Sequence, residues 1–350
     1  MPDQSSHCRG SIMTDGPAPP LLELNNVRKH YPVRGGLLGF KVAGVVRAVD
    51  GISLAVQPGQ TLSIVGESGC GKTTTARLIL RLEAPTSGTI CFDGKPIDDF
   101  DSAGLKRFRA GVQAVFQDPW SSLNPRMTVG RIVAEPMVVQ GRLTRADMKS
   151  RVSELLTQVG LRHEHADLYP HQFSGGQRQR IAIARALSVA PRLIVLDEPV
   201  SALDVSIRAQ ILNLLKDLQD RHGLSYVMIA HHLATVRHMS HQVAVMYLGQ
   251  IVEMAPGKEL FRRPLHPYTQ ALYSSALSTH VGRRLVEPSL KGEVPSPLNP
   301  PPGCCFHTRC PHATPECAQV VPKLVEIQSG HLVQDCACVM RMPGRMVTPG

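Results

Sequence analysis

The chain has 350 residues, room for two domains at about 150 residues each and for a core that needs no disulfide or metal. Its 43% hydrophobic and 19% charged composition is globular and excludes a disordered or fibrous chain. Lys and Arg outnumber Asp and Glu by 38 to 28, a formal charge of +10 that suits nucleotide phosphates, an anionic membrane leaflet or nucleic acid, although 4% aromatics argues against a base-stacking surface.

Residues 1–20 are polar and rich in Pro and Gly and are expected to be disordered. They contain no apolar run behind basic residues, so no export signal is expected. No uncharged apolar stretch approaches the roughly 18 residues of a membrane span. From Leu21 to about residue 263, short β-branched runs alternate with helical patterns, as in an α/β domain. Strands are predicted at Thr61–Val65, Leu193–Leu196, Tyr226–Ala230 and Gln242–Tyr247, and a helix over Thr73–Leu82. A second helix is predicted over Ser206–Arg221, where Ile207, Ile211, Leu214, Leu215 and Leu218 share one face. From Pro264 onward proline becomes dense (GEVPSPLNPPPG) and periodicity fades, so a small irregular region is expected over 264–350.

Gly66, Glu67, Ser68, Gly69, Cys70, Gly71, Lys72 and Thr73 fit the phosphate-loop pattern G-x-x-x-x-G-K-[ST], between a predicted strand and helix, with Thr74 next. The glycines let backbone N–H groups wrap phosphates, and the helix N-terminus adds its dipole. Lys72 is placed to reach the β- and γ-phosphates and Thr73 to ligate Mg²⁺. Cys70 reads as a small filler or, alternatively, a reactive thiol. Downstream, an apolar strand ends in Asp197 and Glu198. Asp197 is suited to hold Mg²⁺ through water and Glu198 to act as general base on the attacking water. Behind a phosphate loop, this pair points to nucleotide hydrolysis.

Ser174, Gly175, Gly176 and Gln177 begin a helical run between those two motifs. Here the sequence resembles the ATP-binding-cassette (ABC) ATPases, whose signature reads Ser-Gly-Gly-Gln. The resemblance implies a RecA-like α/β P-loop core over 21–263, with an antiparallel β subdomain and a helical signature subdomain near 105–185. It also implies a head-to-tail pair of cassettes with ATP and Mg²⁺ at the interface. Gln117, in AVFQDPWSSLNP, matches the glutamine that touches Mg²⁺ and senses the membrane partner. Ser201–Asp204 matches the loop that crosses to the opposite site, and His231 the histidine that contacts the γ-phosphate. The family commonly has Ser before and Asp after that histidine, whereas this chain has Ala230 and His232. Tyr31 sits where the family places an aromatic on adenine, and packing at a strand end is its alternative.

QDPWSSLNPRMTV and the tail beginning at His266-Pro-Tyr-Thr-Gln, with GEVPSP and PPGCCFHTRCP, resemble the oligopeptide/dipeptide importer ATPases, of F type more than D type. That similarity implies a subunit on the cytoplasmic face of the membrane. Its implied partners are a second ABC ATPase (a paralogue), two transmembrane permease subunits and an extracytoplasmic binding protein, with no nucleic acid. The cargo is read as di- or oligopeptides, with nickel or another small solute as alternative. A soluble cassette acting on nucleic acid or ribosomes would usually carry two cassettes or a coiled coil, and this chain has one phosphate loop and no heptad run. A non-hydrolysing scaffold would lose Lys72, Glu198 or His231, and all are present.

Six of the nine cysteines crowd the last fifty residues. Cys304, Cys310, Cys317 and Cys336 form no C-x-x-C pair, which leaves zinc weakly signalled. Resemblance implies a [4Fe–4S] cluster on these four, and zinc or metal-free thiols remain the alternatives. Cys305 and Cys338 are read as spares; Arg309 and His307 are read as facing solvent, with stabilising the cluster or the fold by hydrogen bonding as the alternative. A structural role, bracing the tail against the partner ATPase, is expected, with electron transfer as the alternative.

Overall fold

A computed structural model describes residues 19–35, 41–141, 144–277, 292–336 and 339. In chain order the strands are β1 (Leu22–Gly35), β2 (Lys41–Val56), β3 (Thr61–Val65), β4 (Ser87–Phe92), β5 (Lys95–Pro96), β6 (Val112–Val115), β7 (Leu193–Asp197), β8 (Ser225–Ile229), β9 (Gln242–Tyr247), β10 (Gln250–Pro256), β11 (Leu324–Gln328) and β12 (His331–Gln334). The α-helices are α1 (Lys72–Ile79), α2 (Ser102–Gly111), α3 (Pro119–Ser122), α4 (Val129–Gln140), α5 (Arg145–Gln158), α6 (Gly175–Leu187), α7 (Val205–His222), α8 (Leu233–Met239), α9 (Gly257–Arg262) and α10 (Pro267–Leu277). The chain divides into two units. One holds the residues up to Leu22, Val56–Thr61 and Cys91–Ile229, and the other Glu23–Ala55, Leu62–Ile90 and the residues from Ala230.

In the first unit, β6, β7 and β8 run parallel, with Val112 opposite Leu193 and Leu193 opposite Ser225. Residues 193–196 and all of β8 are buried, which explains their unbroken apolar composition: a parallel strand covered on both faces shows no alternation. Helices α4, α5 and α6 pack against one another and bury Ile132, Val133, Leu155, Leu156, Ile181 and Ile183. Two helix starts in this unit are fixed by side-chain caps. Asp101 accepts the Gly104 N–H at the head of α2 (2.6 Å) and Thr144 that of Asp147 at the head of α5 (3.2 Å).

In the second unit, β3 runs parallel to β9, and β9, β10, β12 and β11 continue antiparallel. Thr61–Val65 is buried throughout. β1 lies between β2 and β4. Beyond residue 264 the structure departs from the expected irregular region. Pro267–Leu277 is helical, and β11 and β12 form a hairpin that extends the sheet beside β10, with Glu253 opposite Val333. The proline count concealed this, because the hairpin is only nine residues of ladder that a sheet edge, not periodicity, stabilises. Among the described residues, no helix is long and apolar enough to cross a membrane.

Candidate functional site

The second unit carries the phosphate loop. Gly66 leaves β3 at φ 157°, where a Cβ would stand 2.1 Å from the Met246 carbonyl oxygen. Gly71, at φ 112°, caps α1 where a Cβ would meet the Ala48 carbonyl oxygen at 2.2 Å. Only glycine fits either position. The helix therefore starts at Lys72, one residue before the predicted Thr73, and it ends at Ile79, three residues before the predicted Leu82. Lys72 is buried, and its ammonium donates to the carbonyls of Gly66 and Glu67 (2.8 Å each) and toward Cys70 Sγ (3.7 Å). These neutral acceptors hold the cation at the loop, where an anionic phosphate is the stronger partner. Thr73 is exposed and Thr74 half-buried at the head of α1, and Ser68 and Gly69 are exposed at the tip. Cys70 is buried and desolvation raises its thiol pKa, which fits the filler reading.

Tyr31 belongs to the same unit. Its hydroxyl donates to Glu83, and the Lys29 ammonium sits 5.0 Å from the ring centroid. Glu83 also pairs with Arg77 of α1 (3.4 Å), so the tyrosine is tied to the helix that the phosphate loop opens. The bond from Tyr31 holds the Glu83 carboxyl below its ordinary range, with Lys29 and Arg77 acting in the same direction. The Ala230 N–H donates to the Ile64 carbonyl (3.3 Å), which sets the exposed His231 beside the strand that feeds the loop; the rings of His231 and His232 lie 5.9 Å apart.

The first unit carries the other motifs. Asp197 and Glu198 are half-buried at the end of β7. Glu198 has φ 49°, its N–H donates to the Ile229 carbonyl (3.0 Å), and its own carbonyl accepts the Ser201 N–H and hydroxyl (3.2 and 3.1 Å). A left-handed non-glycine residue held by three bonds is the sort of backbone stored at functional sites. Ser174 caps α6: Gln177 N–H donates to its hydroxyl (3.4 Å) and Ser174 N–H to the Gln177 side chain (2.9 Å), a reciprocal capping box. Gly176 lets α7 approach, since a Cβ there would stand 2.4 Å from Ile207 Cγ2; Gly175 has Leu203 at 3.5 Å. Asp204 is exposed at the head of α7, and Gln117 is exposed just beyond β6.

The tail supplies what sequence reasoning missed. Arg309, expected in solvent, is buried at 8% exposure. It makes a two-pronged pair with Glu67 of the phosphate loop (2.7 and 3.1 Å) and donates to the Tyr247 hydroxyl (3.4 Å). The Glu67 carboxylate raises its pKa further above the ordinary arginine range. The Tyr268 hydroxyl accepts the Glu67 N–H at 2.9 Å. His307 is half-buried, its Nδ1 2.8 Å from the Cys304 carbonyl in the same turn. Residues 242 apart in sequence leave no local signal of a pair.

Of the four tail cysteines, Cys304, Cys317 and Cys336 are buried and Cys310 half-buried. The sulfurs of Cys304 and Cys336 are 3.4 Å apart, and His266, which spacing did not flag, brings Nε2 to 3.9 Å from Cys336. The bond from Cys336 lowers the Cys304 thiol pKa, with His266 assisting and burial opposing. His266 Nδ1 accepts the Tyr268 N–H (3.1 Å), so the neutral ring carries its proton on Nε2 and offers the sulfurs a donor, not a lone pair. Cys305 is buried with its thiol pKa pushed up by desolvation, and Cys338 lies outside the described residues.

A strand–phosphate loop–helix, an acidic strand end and a capped Ser-Gly-Gly-Gln helix define an ATPase of the ABC class. The ABC transporter family model matches residues 49–201, and the model for the oligopeptide/dipeptide transporter C-terminal region matches residues 252–317. The chain is 51% identical over 318 residues to the oligopeptide transport ATP-binding protein AppF of Bacillus subtilis, covering 89% of this chain and 96% of that one. It is 47% identical over 314 residues to the dipeptide transport ATP-binding protein DppF of Escherichia coli, covering 90% and 93%. Among solved structures, the ATP-binding cassette MJ0796, in a dimeric post-hydrolysis state bound to ADP and Pi, superposes with a TM-score of 0.59 at 30% identity over 67% of this chain and 98% of that one. CbiO1 of Clostridium perfringens, part of the ABC transporter complex cbiONQ, gives 0.60 at 28% identity over 70% and 91%. The chain belongs to the oligopeptide/dipeptide transport ATP-binding family of ABC transporters. It is an ATP-hydrolysing cassette, for which ATP and Mg²⁺ are the expected ligands.

Proposed function

We propose that this chain is one of two ATPase subunits that drive import of di- or oligopeptides from the cytoplasmic face of the membrane. The reading is carried by one observation: a phosphate loop and signature helix joined to a C-terminal region of the oligopeptide/dipeptide transporter type. Two cassettes bind two ATP, close, and push on permease helices; hydrolysis reopens them, and energy enters through differential affinity for the closed pair. The second cassette is a paralogue, an extracytoplasmic protein delivers cargo, and the catalytic domain spans 21–263 with its helical signature part near 105–185.

The site roles follow from the chemistry of the residues. Lys72 and the N–H groups of 69–74 hold the phosphates, Thr73, Asp197 and Gln117 serve Mg²⁺, and Glu198 takes the proton of the attacking water while His231 steadies the γ-phosphate. Ser174, Gly175, Gly176, Gln177 and Asp204 act on the nucleotide of the opposite cassette, and Tyr31 stacks on adenine.

In the tail, Cys304, Cys310, Cys317 and Cys336 would hold a [4Fe–4S] cluster. Support comes from the burial of three of them and from the bond from Cys304 N–H to the Cys317 carbonyl (2.8 Å), which brings two of the four segments together. These four cysteines would hold the cluster, which would supply a structural cross-link, and His266 would donate a hydrogen bond to the Cys336 sulfur. Iron, sulfide and zinc content of anaerobically purified protein tests this; iron absent from the full chain removes the cluster.

The function is tested by ATP hydrolysis of the assembled transporter in lipid, with its binding protein, against short peptides and against Ni²⁺. Stimulation by peptides that Glu198→Gln abolishes is the expected result. Stimulation by Ni²⁺ alone would replace the cargo and keep the mechanism.

A further inference from the structure

We propose that the C-terminal segment positions the phosphate loop for ATP, with Arg309 and Tyr268 as its two positioning residues. Every polar group of Glu67 is occupied. Its N–H goes to the Tyr268 hydroxyl (2.9 Å), its carbonyl accepts from Lys72 (2.8 Å) and the Cys70 N–H (3.3 Å), and its carboxylate takes both prongs of Arg309. Two of these four partners, Tyr268 and Arg309, come from beyond residue 264, and the other two, Lys72 and Cys70, lie in the loop itself.

The block that delivers them is aromatic and buried. Tyr247 stands 4.7 Å from Tyr268 and 5.3 Å from Phe306, and Phe306 stands 5.4 Å from Tyr268, all between ring centroids. Arg309 follows Phe306 on one turn, with its N–H on the Phe306 carbonyl (3.0 Å). The side chain of Arg309 is 5% exposed, so its charge is little screened by water, and a two-pronged guanidinium–carboxylate pair fixes direction as well as distance.

The pair also has an electrostatic role. A carboxylate in a phosphate loop faces a ligand of several negative charges, and Arg309 neutralises it. Removing the guanidinium both frees the loop and leaves Glu67 to repel the triphosphate. Tyr268 acts on geometry alone: its phenol keeps the Glu67 N–H turned toward the tail and leaves the N–H groups of the loop tip for phosphate.

The inference rests on the phosphate loop binding ATP, and one control separates the two: Lys72→Ala that left MgATP affinity unchanged would sink that reading, whatever Arg309 does. The experiment measures KM and kcat for MgATP, and MgATP binding, in the full-length chain within the assembled transporter. Arg309→Ala is expected to raise KM about tenfold or more with kcat within about threefold. Adding Glu67→Gln to it is expected to recover part of that rise, because the stranded carboxylate is gone. Tyr268→Phe, which keeps the ring packing, is expected to raise KM about threefold to tenfold. A role confined to stability would lower the melting temperature of the folded chain without separating KM from kcat. KM unchanged in Tyr268→Phe overturns the phenol arm even if Arg309→Ala does not fold. KM unchanged in a folded Arg309→Ala overturns the guanidinium arm; if that variant does not fold, KM unchanged in Arg309→Gln, which keeps most of the bulk and removes the charge, overturns it.

Discussion

The carboxylate of Glu253 on β10, fully buried, meets the imidazole of His331 on β12 at 2.8 Å, and the same carboxylate accepts the N–H groups of Leu265 (2.7 Å) and His266 (2.8 Å). One side chain thus fastens the C-terminal hairpin and the start of the segment that carries Tyr268. Glu253→Ala would leave two buried N–H groups and an imidazole without their acceptor, at a cost of about 3–5 kcal/mol. Urea unfolding should show a lowered midpoint, and amide exchange should rise first in β12. A midpoint equal to wild type would mean that water replaces the carboxylate there.

The two ends of the nucleotide chemistry should separate by mutation. Glu198→Gln keeps the size of the side chain and removes its basicity, so turnover should fall by about 10²-fold or more while MgATP binding persists. Lys72→Ala removes the buried ammonium and should weaken binding itself. Equilibrium binding and steady-state hydrolysis on the same preparations decide both, and sustained hydrolysis by Glu198→Gln would remove it as the base.

Gly176 offers a steric test of the signature helix. Its Cβ would fall 2.4 Å from Cγ2 of Ile207, a β-branched side chain with little freedom to turn away. Gly176→Ala should push α6 from α7, cost about 1–3 kcal/mol and depress hydrolysis. Ile207→Ala in the same chain opens the space and should restore much of both. Failure of that rescue would place the effect outside this contact.

Cys70 gives a pH-dependent outcome. Burial raises its thiol pKa, so at pH 8 less of it is thiolate than of an unperturbed cysteine, and the thiolate is the species that alkylates. Iodoacetamide should label Cys70 slowly in the folded chain, faster as pH rises, and at the ordinary rate after unfolding. Mass spectrometry of the loop peptide measures this; rapid labelling of the native protein at pH 7 would make Cys70 a reactive thiol after all.

What the sequence determined by itself is local. The phosphate loop, the acidic end of β7 and the Ser-Gly-Gly-Gln helix start are each contiguous, because a phosphate is gripped by consecutive N–H groups and a cap closes within three residues. Gln242–Tyr247 appears with its predicted bounds, and the predicted ends of β3, β7, β8 and α7 fall within one residue of the observed ones, since buried apolar runs and one-faced helices declare themselves over five to eighteen residues. The tail hid its order. Its hairpin exists only against β10, and the burial of Arg309 depends on Glu67, 242 positions earlier. His266 likewise joins Cys304 and Cys336 only once the chain has folded back. A charge written next to cysteines and prolines reads as solvent-facing, because in sequence nothing near it offers a partner. Tertiary structure decided otherwise, since a buried guanidinium is tolerable only where a carboxylate, however distant along the chain, is brought to meet it.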